Sequence, residues 1–289
     1  MNPSQPSSNQ SGFEVQVAEA PKRHHGALYP ILIVAGLIVL ILIYFFPLAS
    51  FAAKDYAGKL SKQRLNVEDS LDGQIKSSLA KTKKTKKDRN SVNDIKSKFL
   101  ADKLNRPKLT NLPLAEIVNA RYKKAVECKK EVKKYDQKTN ITVEETLKAL
   151  NYNELFQTAS TTASDSVDDG IASTGEKAKS TIISLANSVR DSTNKLENAN
   201  TPTELFNVHF ESIEALQNID NSLNEYAIAK ESANLKVESE VSSFLNSNVA
   251  IIQDLGGEIS AYINSLKDET EQIRSRSTRI EKLEKEILN

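Results

Sequence analysis

From Gly26 to Ala53 no side chain is charged, and Leu28 to Phe46 reads LYPILIVAGLIVLILIYFF, nineteen residues. As a helix this run spans about 28 Å, close to the roughly 30 Å hydrocarbon thickness of a bilayer. A core helix of a soluble protein keeps a polar stripe for water, and five turns without one are hard to place there. Tyr29, Tyr44, Phe45 and Phe46 lie near the two ends, where aromatic rings favour the membrane interface. The expectation is a transmembrane helix over 27–48, with Leu28, Ile31, Leu37, Leu42 and Phe46 as membrane residues and Pro47 ending it.

A cleaved signal peptide is the competing reading: Lys22 and Arg23 would begin it and Ser50-Phe51-Ala52 would supply a small-x-small cleavage site. The apolar run exceeds the roughly 7 to 15 residues usual for such a segment, so a retained signal-anchor is preferred. Orientation is contested by the flanks. Lys22 and Arg23 precede the run, while Lys54, Lys59, Lys62 and Arg64 follow it. Counted strictly, the flanks put the body inside. Long domains translocate largely regardless of charge, and the layout of short tail, basic pair, apolar helix and long polar body is that of a signal-anchor. The body is therefore expected outside the cytoplasm, with a cytoplasmic body as the alternative.

The rest of the chain is polar and helix-prone. There is no Trp, only 9 Gly and 8 Pro in 289 residues, and Ala, Leu, Lys, Glu, Ser and Asn abound. Residues 1–26 read as a disordered polar tail, and 49–105 as a polar, basic helical stalk containing KTKKTKKDRN at 81–90. The net charge of +1 hides an asymmetry: 24 Lys/Arg face 11 Asp/Glu over 54–138, then 13 face 25 over 139–289. Two halves lying against each other, or solvated helix faces, account for this more simply than nucleic-acid binding, since no aromatics are interleaved with the lysines. The lysine run also lies too far along the chain from Phe46 to reach lipid headgroups unless the stalk folds back.

Helical spacing recurs along the body. Val67, Leu71, Ile75 and Leu79, then Val92, Ile95 and Phe99, step by three and four. Arg106 to Pro113, bracketed by prolines, marks a boundary. A stripe of Leu114, Val118, Tyr122, Ala125, Val132 and Tyr135 opens a helical bundle expected over 114–250. Thr142 with Glu145 reads as a capping box for a further helix, a Ser/Thr-rich break follows at 158–166, and Val167 to Leu196 reads as the next apolar stripe. Thr201-Pro202-Thr203-Glu204 signals another start, with Phe206, Phe210, Ile213, Leu216, Leu223 and Tyr226 on its apolar side. A loop or exposed helix is expected at 229–236.

The most regular pattern closes the chain. Ile252, Ile259, Leu266, Ile273, Ile280 and Ile287 recur every seventh residue, with Leu255, Tyr262 and Leu283 between them, so 251–289 reads as a heptad coiled-coil segment. Glu269 and Arg276 interrupt the seam. Gly256-Gly257 reads as a hinge or helix-helix turn, or alternatively as a close packing contact. The expected interaction seam is Ile252, Leu255, Ile259, Leu266, Ile273, Ile280, Leu283 and Ile287, and the pattern leaves open whether it closes within one chain or between chains.

No constellation points to catalysis. Cys128 is the one cysteine, which rules out an intrachain disulfide and fits a buried thiol. His24 and His25 flank the apolar run and His209 stands alone, read as a partly buried histidine with one polar partner. There is no HExxH, G-x-S-x-G or phosphate-cradling glycine loop, and Asn140-Ile141-Thr142 fits a glycosylation sequon short enough to arise by chance. The expected class is all-α: one N-terminal transmembrane helix followed by an elongated helical bundle or coiled coil. The expected function is a non-enzymatic interaction or structural protein of the cell envelope, with no cofactor, metal, nucleic acid or small-molecule substrate. Its partners would be the lipid bilayer and a protein or second copy. An extracytoplasmic sensor bundle and a membrane-tethered cytoplasmic scaffold are the alternatives.

Overall fold

The computed structural model describes residues 28–63, 67–80 and 85–289. The tail over 1–26, the first lysines of the run at 81–84 and the side chain of Leu28 lie outside the described residues. The fold is all-α, with no strand among the described residues. The chain divides into two compact units, 1–47 and 48–289.

Helix α1 (Leu28–Lys62) carries the apolar run, and Pro47 stands inside it and does not end it. Proline inside a helix removes one N–H donor and crowds the carbonyl four residues earlier, which costs about 3 kcal/mol. The turns after it are held by packing: Ala49, Ala53, Tyr56, Ala57 and Leu60 form one buried face with Leu109, Ala115, Tyr122, Ala125, Cys128, Val132 and Ile287. Before Pro47 the pattern differs, because the large apolar side chains from Ile31 to Ile43 are exposed on every face.

The second unit is organised by two long helices, α5 (Ala120–Ala172) and α8 (Leu235–Leu288), each about 80 Å at 1.5 Å per residue. They run antiparallel, and the pairings hold one register along their length: Arg121 with Asn289, Lys124 with Glu286, Glu131 with Arg276, Glu145 with Tyr262, and Phe156 beside Gly256. Towards one end, α6 (Ala178–Glu197) and α7 (Phe206–Glu231) close a core over α5 and α8 through Ile182, Val189, Leu216, Leu223, Leu245 and Ile259. Towards the other, α2 (Val67–Ala80) and α3 (Thr85–Leu104) do the same through Leu71, Val92, Phe99, Leu150 and Ile273. The segment expected to be a separate stalk over 49–105 is thus part of the same compact unit. Its apolar residues are few, but they are spaced to reach the seam of α8.

Three expected breaks are absent. Thr142 lies buried within α5, and its carbonyl accepts the Thr146 hydroxyl at 2.7 Å. Around 158–166, Ala159, Ala163, Ser166 and Val167 are buried at three-four spacing, and Thr158 donates to the Glu154 carbonyl. Hydroxyls that back-bond in this way satisfy themselves without leaving the helix. The boundary expected at 250 also vanishes into α8. A break does fall within the expected stripe from Val167 to Leu196, at Gly175, whose φ of +80° is open to glycine at little cost. At 229–236 the chain turns at Ser232, Ala233 and Asn234, and the Asn234 side chain accepts from the Val237 N–H to cap α8. Before α7, the Thr203–Leu205 turn is a 3-10 segment, and of the expected apolar side of α7 Ile213, Leu216, Leu223 and Tyr226 are buried while its first two phenylalanines are not. Leu205, Val208, Ser212 and Leu216 are buried, whereas Phe206 and Phe210 are 48% and 66% exposed.

Gly256-Gly257 is neither hinge nor turn, because α8 continues through both. A Cβ on Gly256 would meet the Phe156 ring at 3.3 Å, while one on Gly257 would meet nothing within 4 Å. The two glycines should respond oppositely. Gly257→Ala is expected to raise unfolding stability by about 1 kcal/mol through helix propensity, and Gly256→Val to lower it by about 1–3 kcal/mol through overpacking. Denaturant midpoints of the two variants check this, and equal shifts would rule out the Phe156 contact.

Candidate functional site

The expected membrane residues Ile31, Leu37, Leu42 and Phe46 are exposed on α1, with Leu37 at 53%. The stretch has a mean hydropathy of 3.0 and none of it is buried, so one helix is long and apolar enough to cross a membrane.

The expected interaction seam is occupied by the chain itself. Ile252, Leu255, Ile259 and Leu266 belong to the α5–α8 core with α6 and α7. Ile273 sits among Leu71, Phe99 and Leu150, and Ile280, Leu283 and Ile287 pack with the last turns of α1 and the start of α5. The two residues that break the heptad have partners on α5: Glu269 pairs with Lys138, and Arg276 reaches Glu131 at 3.2 Å. Further pairs join the basic and acidic halves of the chain, Arg89 with Glu154, Lys96 with Glu144 and Lys124 with Glu286. Each exposed pair is worth only about 0–1 kcal/mol, yet together they fit the sequence asymmetry to intramolecular contact.

The densest set of buried polar groups lies where α5 meets the C-terminal half of α8. Glu131 is buried and contacts Lys134, Arg276 and Arg279. Burial pushes its carboxyl up, but the hydrogen bond from Lys134 and the charges of Arg279 and Arg276 outweigh burial and hold it below its ordinary value. Four residues on, the Tyr135 hydroxyl donates to Glu68 on α2 at 3.2 Å, and burial first, then Glu68, raise the phenol well above its usual range. Asp136 accepts from Arg106 at 3.0 Å, and the Arg106 guanidinium stands 5.9 Å from the centre of the Tyr135 ring. Arg106 comes from the proline-bracketed linker. No periodic signal marks either Arg106 or Asp136.

This cluster is built to hold helices together. The cavity among Leu60, Arg106, Val132, Tyr135, Ser277, Ile280 and Glu284 measures about 30 Å³, room for a water but not for a substrate. Cys128 is buried nearby, and burial, with Glu284 and Glu131 adding to it, pushes its thiol up to about 12. A thiol so rarely ionised is a poor nucleophile. His209 is buried beside the rings of Tyr152 and Phe210, and its Nδ1 has no hydrogen-bond partner. Burial lowers its pKa and keeps the imidazole neutral. Among the described residues no group of three or more His, Cys, Asp and Glu could hold a metal ion.

No protein family, curated protein or solved structure matches the chain.

Proposed function

We propose that this chain is a single-pass, membrane-anchored interaction protein without enzymatic activity, whose elongated helical body is tethered by α1 and binds a partner or a second copy of itself. The observation that carries this reading is the contrast along one helix. From Ile31 to Ile43 the large apolar side chains of α1 are exposed, whereas from Ala49 onward one face of it is packed into a core that closes on itself. A hydrocarbon environment supplies the missing cover for the first part. Because the heptad seam is already filled within the chain, partner binding falls to the outer surface, where Phe206, Phe210, Phe244 and Ile251 are exposed on α7 and α8. Large aromatics uncovered on a helical surface are the usual anchors of protein contacts.

The proposed location is the cell envelope with the body outside the cytoplasm. The test changes Cys128 to Ser, appends one cysteine after Asn289 and applies a membrane-impermeant maleimide. Labelling of intact cells is expected. Labelling only after permeabilisation would reverse the orientation and favour a cytoplasmic scaffold, and recovery of the chain in the soluble fraction would defeat the anchor altogether.

A further inference from the structure

Between α3 and α5 the chain makes a short excursion that spends apolar residues on its surface. Helix α4 (Ala115–Val118) and the residue before it expose Leu114 at 72% and Ile117 at 80%. The excursion is rigidly framed. The Tyr122 hydroxyl accepts from the Leu112 N–H at 3.0 Å and donates to the Thr110 carbonyl at 2.5 Å. The Asn119 side chain accepts from the Tyr122 N–H at 2.9 Å and donates to Ser50 Oγ at 2.8 Å. Within that frame Leu109 and Ala115 are buried while Leu114 and Ile117 stay out. Leu114 also has a φ of +64°, a backbone region that favours glycine or asparagine and is strained for leucine. A water-facing turn would accept either of those residues, and neither offers an apolar side chain.

The tie to Ser50 locates this surface. Ser50 lies three residues after Pro47, and three residues span at most about 11 Å whatever course the chain takes. The interfacial layers that bring a bilayer from about 30 Å of hydrocarbon to 40–45 Å overall are each several ångströms deep, so α4 is held within reach of that layer. Leu48 and Phe51 on α1 are exposed in the same stretch, and the first charge after the apolar run is Lys54. Lys54 and Lys108 are exposed here, with Glu116 as the opposing carboxylate. A pair of large aliphatic side chains with lysines around them is the composition of an interfacial, not a spanning, membrane contact.

We infer that Leu114 and Ile117 form a second membrane contact, inserting among the headgroups and upper acyl chains of the bilayer that α1 crosses. The inference rests on the membrane-anchor reading above. It makes the attachment two-point: α1 holds the chain in the bilayer, and α4 fixes how the adjoining end of the body meets the surface.

The chain has no tryptophan, so a single introduced indole reports its own surroundings. Three full-length variants are reconstituted in phosphatidylcholine vesicles whose acyl chains are brominated either near the headgroup or near the methyl end: Ile117→Trp, Leu37→Trp and Leu235→Trp. Leu235 is 77% exposed at the start of α8, and Ile287 near the other end of that helix packs in the same cluster as Ala115. The indole at 117 is expected to lose most of its emission to bromines near the headgroup, that at 37 to bromines deeper in the chain, and that at 235 to neither. If 37 is quenched and 117 behaves like 235, the anchor stands and the α4 contact is overturned. If 117 is shifted to the blue yet unquenched, its cover is protein and the lipid assignment is again overturned. If 37 itself is unquenched, the anchor reading fails and takes this inference with it.

Discussion

Ile273→Asp is expected to destabilise the helical unit by roughly 4 kcal/mol or more, enough to lower its thermal midpoint by about 10 °C or beyond. Ile273 has no solvent exposure and lies where α2, α3 and α5 converge on α8, against Leu71, Phe99, Tyr135, Val143 and Leu150. Two costs combine there. Truncating a buried isoleucine alone costs about 2–5 kcal/mol, and the carboxylate adds an ion that finds no partner among apolar neighbours. Against a total stability of about 5–15 kcal/mol, the combined loss is a large fraction of what holds α2, α3 and α5 against α8. Ile273→Ala isolates the first cost and should be milder. Thermal unfolding followed by circular dichroism checks both, and an unchanged midpoint for the aspartate variant would mean that the seam is not closed by these helices.

Arg106→Ala is the second large effect, expected at about 3–5 kcal/mol, the range for removing one partner of a buried ion pair. The side chains of Arg106 and Asp136 are only 14% and 11% exposed, so little solvent screens the charge left behind. The contact of the guanidinium with the Tyr135 ring is lost as well. The informative comparison is Arg106→Met combined with Asp136→Leu, which removes both charges and should recover most of the loss. Should the paired variant be no better than the sum of the single ones, the two residues are uncoupled and the linker is held by something else.

Which parts of this fold can be read from the residues depends on how local the cause is. Helix formation over 67–79 and 252–287 follows from apolar spacing, and so does the burial of Leu71, Ile75, Ile252 and Ile259, because a side chain's face is set by its position in the helical repeat. The proline-bracketed interruption after Leu104 is local in the same sense. Helix ends were less legible. Thr142 with Glu145 has the residue types of a capping box, but the same types fit a helix interior when the hydroxyl of a neighbour such as Thr146 bonds back to the preceding turn. Phe206 and Phe210 were assigned inward by their chemistry, whereas the face of α7 that docks is chosen by α6 and α8, with Leu205 and Val208. Of the polar cluster, the sequence flagged only Glu269 and Arg276, as interruptions of a heptad, and could not supply Lys138 and Glu131 as their partners.

By itself, then, the sequence determined that the chain is helical, that one uncharged run is long and apolar enough to cross a membrane, and that the last helix carries a heptad apolar seam interrupted at Glu269 and Arg276. These are properties of composition and short-range period. What only the tertiary structure decided is what covers each apolar face: that the seam of α8 is filled by α5 and by helices from both halves of the chain, that the basic segment after α1 joins this core, and that Leu114 and Ile117 are left outside it. A heptad records that a face needs burial, not which surface provides it. That choice depends on contacts between residues such as Leu71 and Ile273, some two hundred positions apart, where no local signal survives.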